Sequence, residues 1–421
     1  MYASLDLSSN TDLDVFPPTK KEKILSLIYK ILFFLIVVFG IALRLLVFDK
    51  VGGDYITYKD AMNSFHLGIN PYIYTVESFK TSGIEHGYTS FPTLLYIQYG
   101  IWLLDNFIGV IISTSILWKI PVLICDLLIL FFIAKEFNRP KINVSECILR
   151  LICLSTWFIN PYLMSRYEYS MYDPIFLLFL LLALKNLDNE TFISPLFYSL
   201  AVSLKTIPVI VFPLFFLKTS KKIKFIFIGL LVFILISIPF MRSYYDFSTY
   251  INGGLFVHSQ RALQGKPFLT FISYYLSPLG INFFQIKYIK LYAMLSMLLS
   301  FLIPVFLYYK GKLKDKYSWT LLSFFIYLLL TPVLSRTHIL WIIPWLVIVV
   351  YKKFSDSKRV WIGIVSLLVF WICSFMYLYG WNKGFESFSD ARGKPILQET
   401  KQEWELKKVL RNKYYEVRNT H

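Results

Sequence analysis

Long apolar runs constrain this chain more than any other feature. The first extends from Ile24 to Val47, and runs of about 17 or more residues recur along the whole length, close to the ~20 residues a helix needs to cross a bilayer. With 56% hydrophobic and only 16% charged residues, the chain lacks the polar surface to wrap a soluble core, and an all-α polytopic membrane protein is predicted. The first run is too long for a signal-peptide core and has no small-residue cleavage site, so it is expected to stay as a helix. A net charge of +17 could suggest nucleic acid. The lysines instead cluster between apolar segments, as the positive-inside rule produces, so no nucleic-acid partner is expected. Cys125, Cys147, Cys153 and Cys373 fall in or beside predicted helices without a CxxC pair, which argues against a disulfide framework or zinc site. No repeat, P-loop or GxGxxG is present.

Lys20, Lys21 and Lys23 put the start of the first helix on the cytoplasmic side. Residues 48–106 then lie outside, and within them 91–104 is too short to cross and reads as a helix on the outer surface. Crossing segments follow at 109–134, 147–164, 173–185, 222–240, 286–309, 317–334, 338–351 and 360–379. Residues 192–217 are interrupted by Lys205, Pro208 and Pro213 and lie between two basic loops. They read as two short helices in a hairpin with Lys205 near its outer tip, where irregular backbone implies a cavity. The total is about eleven transmembrane helices. The organisation is a cytoplasmic segment 1–23, a transmembrane domain 24–379 with outer loops 48–106 and 241–285, and a charged tail 380–421. Asn143 and Asn189 head glycosylation sequons but fall in predicted cytoplasmic loops.

Ionisable residues inside apolar segments are costly, which makes each a functional candidate. Here they are Arg44, Lys119, Asp126, Arg166, Asp173 and Lys205. Lys119 with Asp126, or Arg44 with a nearby acid, could equally be structural ion pairs between helices.

Order and spacing carry a resemblance. The first outer loop contains Asp54-Tyr55, Asp60-Ala61, Gly68 and Pro71-Tyr72. After it come YTSFPTLL (88–95), LWKIPVLICDLLI (117–129), FINPYLMSR (158–166) and SLAVSLKTIPVIVFPL (199–214), then VHSQR (257–261), LSRTHILWIIP (334–344) and LYGWNKGF (378–385). From about residue 24 to 387 the series resembles the GT-C superfamily of polyprenyl-phosphate-sugar-dependent glycosyltransferases. It is most similar to the catalytic subunits of the first mannosyltransferase of GPI-anchor synthesis. The resemblance implies a GT-C membrane fold and transfer of a mannosyl group from a dolichyl- or polyprenyl-phosphate donor on the extracytoplasmic face. The acceptor would be a hydroxyl of a lipid-linked glycan or glycolipid. The membrane would be the cell membrane in a prokaryote or the endoplasmic reticulum in a eukaryote, with room for an accessory subunit. The family's Asp-x-Asp reads Gly52-Gly53-Asp54 here, so no metal ligand is assigned, a divalent metal stays open, and Asp54 is the surviving acid.

Such a transfer requires a base for the acceptor hydroxyl and cations for the departing phosphate. Asp54 follows two glycines that permit close backbone approach, and it is the expected base; a helix N-cap is its plain structural alternative. Asp60 is the second choice, whereas Asp49 reads as solvated. His258 and Arg261, which match the family's His-x-x-Arg, are expected to receive the phosphate, and Lys205 adds a point charge. Arg336 and His338 form a further outer candidate, and Arg44, Arg166 and Asp173 are supporting ones. One base without a nucleophile pair predicts inversion. The competing readings are a lipid-linked sugar flippase or small-solute transporter, and a GT-C enzyme using another sugar.

Overall fold

The computed structural model describes residues 19–50, 53–82, 87–108, 114–137, 143–163, 171–189, 192–257, 264–265, 267–268, 279, 289–355 and 358–383. Described structure is almost wholly helical. The only strands among the described residues are two-residue pieces, β1 (Gln264–Gly265) and β2 (Val333–Leu334), which pair in parallel.

The first helix, α1 (Lys20–Leu45), starts where the Thr19 side chain and Glu22 form a reciprocal capping box. The stretch expected to form the first outer loop folds into α2 (Gly53–His66), α3 (Tyr72–Ser82) and α4 (Pro92–Ile108). Then come α5 (Thr114–Glu136), α6 (Val144–Phe158), α7 (Asp173–Lys185) and α8 (Ile193–Leu204). The chain breaks at Lys205, whose backbone is extended, and resumes as a 3-10 turn over Ile207–Val211 and α9 (Phe212–Lys218). Pro208 explains the break, because it has no N–H to bond the Leu204 carbonyl and continue α8. Tyr198 on α8 packs on Phe215 of α9 with ring centroids 4.4 Å apart, and its hydroxyl donates to the Pro208 carbonyl at 3.3 Å. The two pieces therefore fold back on each other with Lys205 at the turn, as the hairpin reading expects. The remaining helices are α10 (Lys222–Ser237), α11 (Tyr244–Ile251), α12 (Ile289–Tyr309), α13 (Lys316–Leu330), α14 (Ile343–Phe354) and α15 (Val360–Lys383).

Among the described residues, five helical stretches are long and apolar enough to cross a membrane: Lys20–Leu45, Ser115–Glu136, Lys222–Phe240, Leu291–Tyr309 and Val360–Leu378. Their outward faces carry Phe34, Phe39, Phe227, Leu302 and Met376, all more than half exposed. An apolar exterior of this kind belongs in lipid, so the chain is a membrane-embedded helical protein. The shorter α7 and α14 make the centre instead. At 13 residues, α7 spans only ~20 Å, and Ile175, Phe176, Leu177, Leu180, Leu181 and Leu184 are all shut off from solvent. It packs most extensively on α8 and α5.

Buried ion pairs fasten this centre. Arg44 bonds Asp126 through Nε and Nη2 at 3.2 and 3.0 Å, with both side chains fully buried. Its Nη1 donates to the carbonyls of Gly40 and Phe158 at 2.8 and 2.9 Å. Lys119 does not pair with Asp126, the partner suggested by its position on the same helix. Its ammonium instead holds the turn that follows α1, donating to the carbonyls of Val47 at 2.7 Å, Phe48 at 3.0 Å and Lys50. A second buried pair joins Glu146 and Arg150 at 2.8 Å, with the Tyr351 hydroxyl 2.6 Å from the same Glu146 oxygen.

Candidate functional site

The break after α8 leaves Lys205 beside the first residue of α7. Lys205 Nζ lies 2.5 Å from Asp173 Oδ1. The lysine side chain is 33% exposed and the aspartate 3%, so a buried carboxylate holds a partly exposed lysine. The Trp341 ring lies under the same ammonium, 4.6 Å from Nζ to the centroid, a cation–π distance. His338 stacks on Trp341 at 4.1 Å, and its Nδ1 accepts the Ser335 backbone N–H at 3.2 Å. That bond leaves the proton of a neutral ring on Nε2. The 3-10 turn Arg336–Trp341 that carries these rings follows directly from β2. Asp173, Lys205 and His338, expected separately as a phosphate ligand and supporting residues, thus converge around a tryptophan.

Helix α2 reaches this cluster through aromatic contacts. Tyr58 of α2 meets Tyr172 edge-on at 5.8 Å, and Tyr172 directly precedes Asp173. The Tyr172 hydroxyl donates to the Trp118 carbonyl at 2.8 Å, and the Trp118 ring meets Tyr55 edge-on at 5.3 Å. Asp54 is the second residue of α2, four positions before Tyr58 and hence on the same helical face as that ring's position. Its side chain lies outside the described residues. Asp60 is half-buried on the same helix, and Asp49 is exposed, as its solvated reading expects.

The segments around α3 and α11 are docked on one another. Tyr72 is fully buried, its hydroxyl donates to the Ser90 carbonyl at 2.6 Å, and its ring meets Tyr250 at 5.3 Å. Beyond α11 the chain winds into a π-helical turn over Asn252–Phe256. A Cβ on Gly253 would stand 3.0 Å from Tyr72 Cβ and 3.1 Å from its carbonyl oxygen, so glycine permits this approach. Asn70 donates to the Asp246 carbonyl at 3.0 Å. Burial pushes the Tyr72 and Tyr88 hydroxyls well above the usual tyrosine range, and Tyr250 is raised to about 12, chiefly by burial. All three are therefore protonated at neutral pH.

His258, Arg261 and Arg166 lie outside the described residues, as does the side chain of Arg336. Arg44 belongs to the Asp126 pair. Asp126 stands eight residues beyond Trp118 on α5, ~12 Å along the axis from the level of Tyr172. Sequence reasoning missed Tyr58, Tyr172 and Trp118 and assigned no role to Trp341. The only signal was their place beside charged or Pro-bearing motif positions. Among the described residues, no group of three or more His, Cys, Asp or Glu is placed to hold a metal ion. No family model matches the chain, and comparison with curated proteins gives no match.

Proposed function

We propose that this chain is an integral-membrane glycosyltransferase of GT-C type. It would move a mannosyl residue from a dolichyl- or polyprenyl-phosphate donor to a hydroxyl of a lipid-linked glycan or glycolipid. The observation that carries the reading is Lys205, one-third exposed, held by Asp173 and Trp341 and linked through Tyr172 and Tyr58 to the helix whose second residue is Asp54. A cation and a carboxylate-bearing helix meeting at the rim of an apolar bundle suit a lipid phosphate and a hydroxyl acceptor. The likeness of the ordered motifs to polyprenyl-phosphate-dependent transferases supports the same chemistry.

In the proposed reaction the acceptor oxygen bonds to the anomeric carbon as the carbon–oxygen bond to the donor phosphate breaks. The hydroxyl proton passes to the Asp54 carboxylate, and the bonding electrons leave with the phosphate. Lys205, together with His258 and Arg261, receives the charge that grows on that leaving group. Such donors lower the barrier because they bind the transition state more strongly than the ground state. A single displacement inverts the anomeric centre, so a β-linked donor gives an α-linked product. This reading has about eleven crossings, with the shorter apolar helices completing the span, and puts the site on the extracytoplasmic face.

The test is mannosyl transfer from labelled dolichyl-phosphate-mannose by the purified protein in lipid nanodiscs, offered a panel of lipid-linked glycans and glycolipids. An α-mannosylated product supports the proposal. Movement of a lipid-linked sugar across proteoliposomes with no transfer to any acceptor contradicts it and favours a flippase.

A further inference from the structure

We infer that Lys119 and Trp118, neighbours on α5, form a clamp that sets the position of the α2 N-terminus, and that Lys119 is a positioning residue for Asp54. The role assigned to Asp54 rests on the glycosyltransferase reading; the clamp itself does not.

Helix α1 ends at Leu45, and in the turn that follows it the carbonyls of Val47, Phe48 and Lys50 all accept from one lysine of another helix. The Lys119 side chain is 1% exposed, so it is buried there by this interaction. An ammonium has three N–H donors, one for each carbonyl, and a cation is favourable at a helix C-terminus. The chain leaves this turn at Lys50 and enters α2 at Gly53. One residue earlier on α5, the Trp118 ring braces Tyr55 at 5.3 Å and its carbonyl takes the Tyr172 hydroxyl. Residues 47–50 and Tyr55 are therefore both fixed to the same two positions of α5, with Asp54 between them. A base must lie within hydrogen-bond reach of its proton, and a displacement of 1 Å can cost ~100-fold in rate.

The experiment compares wild type, Lys119→Met and Arg150→Met in nanodiscs, using amide hydrogen exchange over residues 46–60 and mannosyl-transfer kinetics. Arg150→Met disturbs the Glu146 pair on α6 and controls for general destabilisation. The clamp predicts exchange about tenfold faster over 46–60 in Lys119→Met alone. It also predicts a kcat about 100-fold lower with donor KM unchanged. Unchanged exchange in Lys119→Met, or equal acceleration in Arg150→Met, overturns the clamp. Faster exchange with kcat intact, or a loss confined to donor KM, overturns the positioning role. Absence of transfer by wild type contradicts the glycosyltransferase reading and with it the role for Asp54, while exchange still decides the clamp.

Discussion

Asp173 and Lys205, on consecutive helical segments 32 residues apart, make one salt bridge with unequal exposure: the carboxylate is buried and the lysine is one-third exposed. The asymmetry separates two roles in a double-mutant cycle. Lys205→Met leaves a buried carboxylate without its cation, so it is expected to destabilise more than the double variant Asp173→Asn/Lys205→Met. Both are expected to lose about 100-fold in kcat, the effect of removing one charge-stabilising donor. Thermal unfolding and transfer rates, measured on the same preparations, check both statements. Activity at the wild-type level in Lys205→Met would remove the lysine from the chemistry.

Arg44 and Asp126 are a different case, since neither reaches solvent. Arg44→Met strands a buried carboxylate and loses the bonds to Gly40 and Phe158. It is expected to cost about 3–5 kcal/mol, and adding Asp126→Leu should recover much of that. Transfer per folded molecule should stay near wild type. A kcat loss in the restored double variant would return Arg44 to the site.

Gly253→Ala tests the docking of the π-helical turn after α11 on α3. The new Cβ meets the Tyr72 backbone oxygen at 3.1 Å, and backbone cannot swing aside as a side chain could. A cost of about 1–3 kcal/mol is expected, with faster hydrogen exchange in residues 70–82 and 244–257. An unaltered exchange pattern would show that the π-helical turn does not depend on this approach.

The helices were legible because apolar runs bounded by lysines admit few alternatives in a bilayer. The hairpin at Lys205 was legible for a local reason: Pro208 and Pro213 remove the donors a single helix would need. Ion-pair partners were not. Asp126 lies seven residues from Lys119 on one helix, yet its partner is Arg44, 82 residues away. Only the packing of α1 against α5 and α6 decides that choice. Trp341 was equally hidden, one of ten tryptophans in a chain that is 19% aromatic; what distinguishes it is Lys205 above its face. Glu146 and Arg150 were not singled out, although Arg150 falls inside the predicted crossing 147–164.

Asp54 is the residue on which the account depends most. The decisive measurement is mannosyl transfer from dolichyl-phosphate-mannose by wild type, Asp54→Asn and Asp60→Asn in nanodiscs, with thermal unfolding recorded for each. The account predicts a robust wild-type rate and an Asp54→Asn rate lower by about 100-fold or more, as for loss of a general base, with unfolding unchanged. Asp60→Asn should retain most activity. Equal rates in wild type and a folded Asp54→Asn would contradict the assignment of the base.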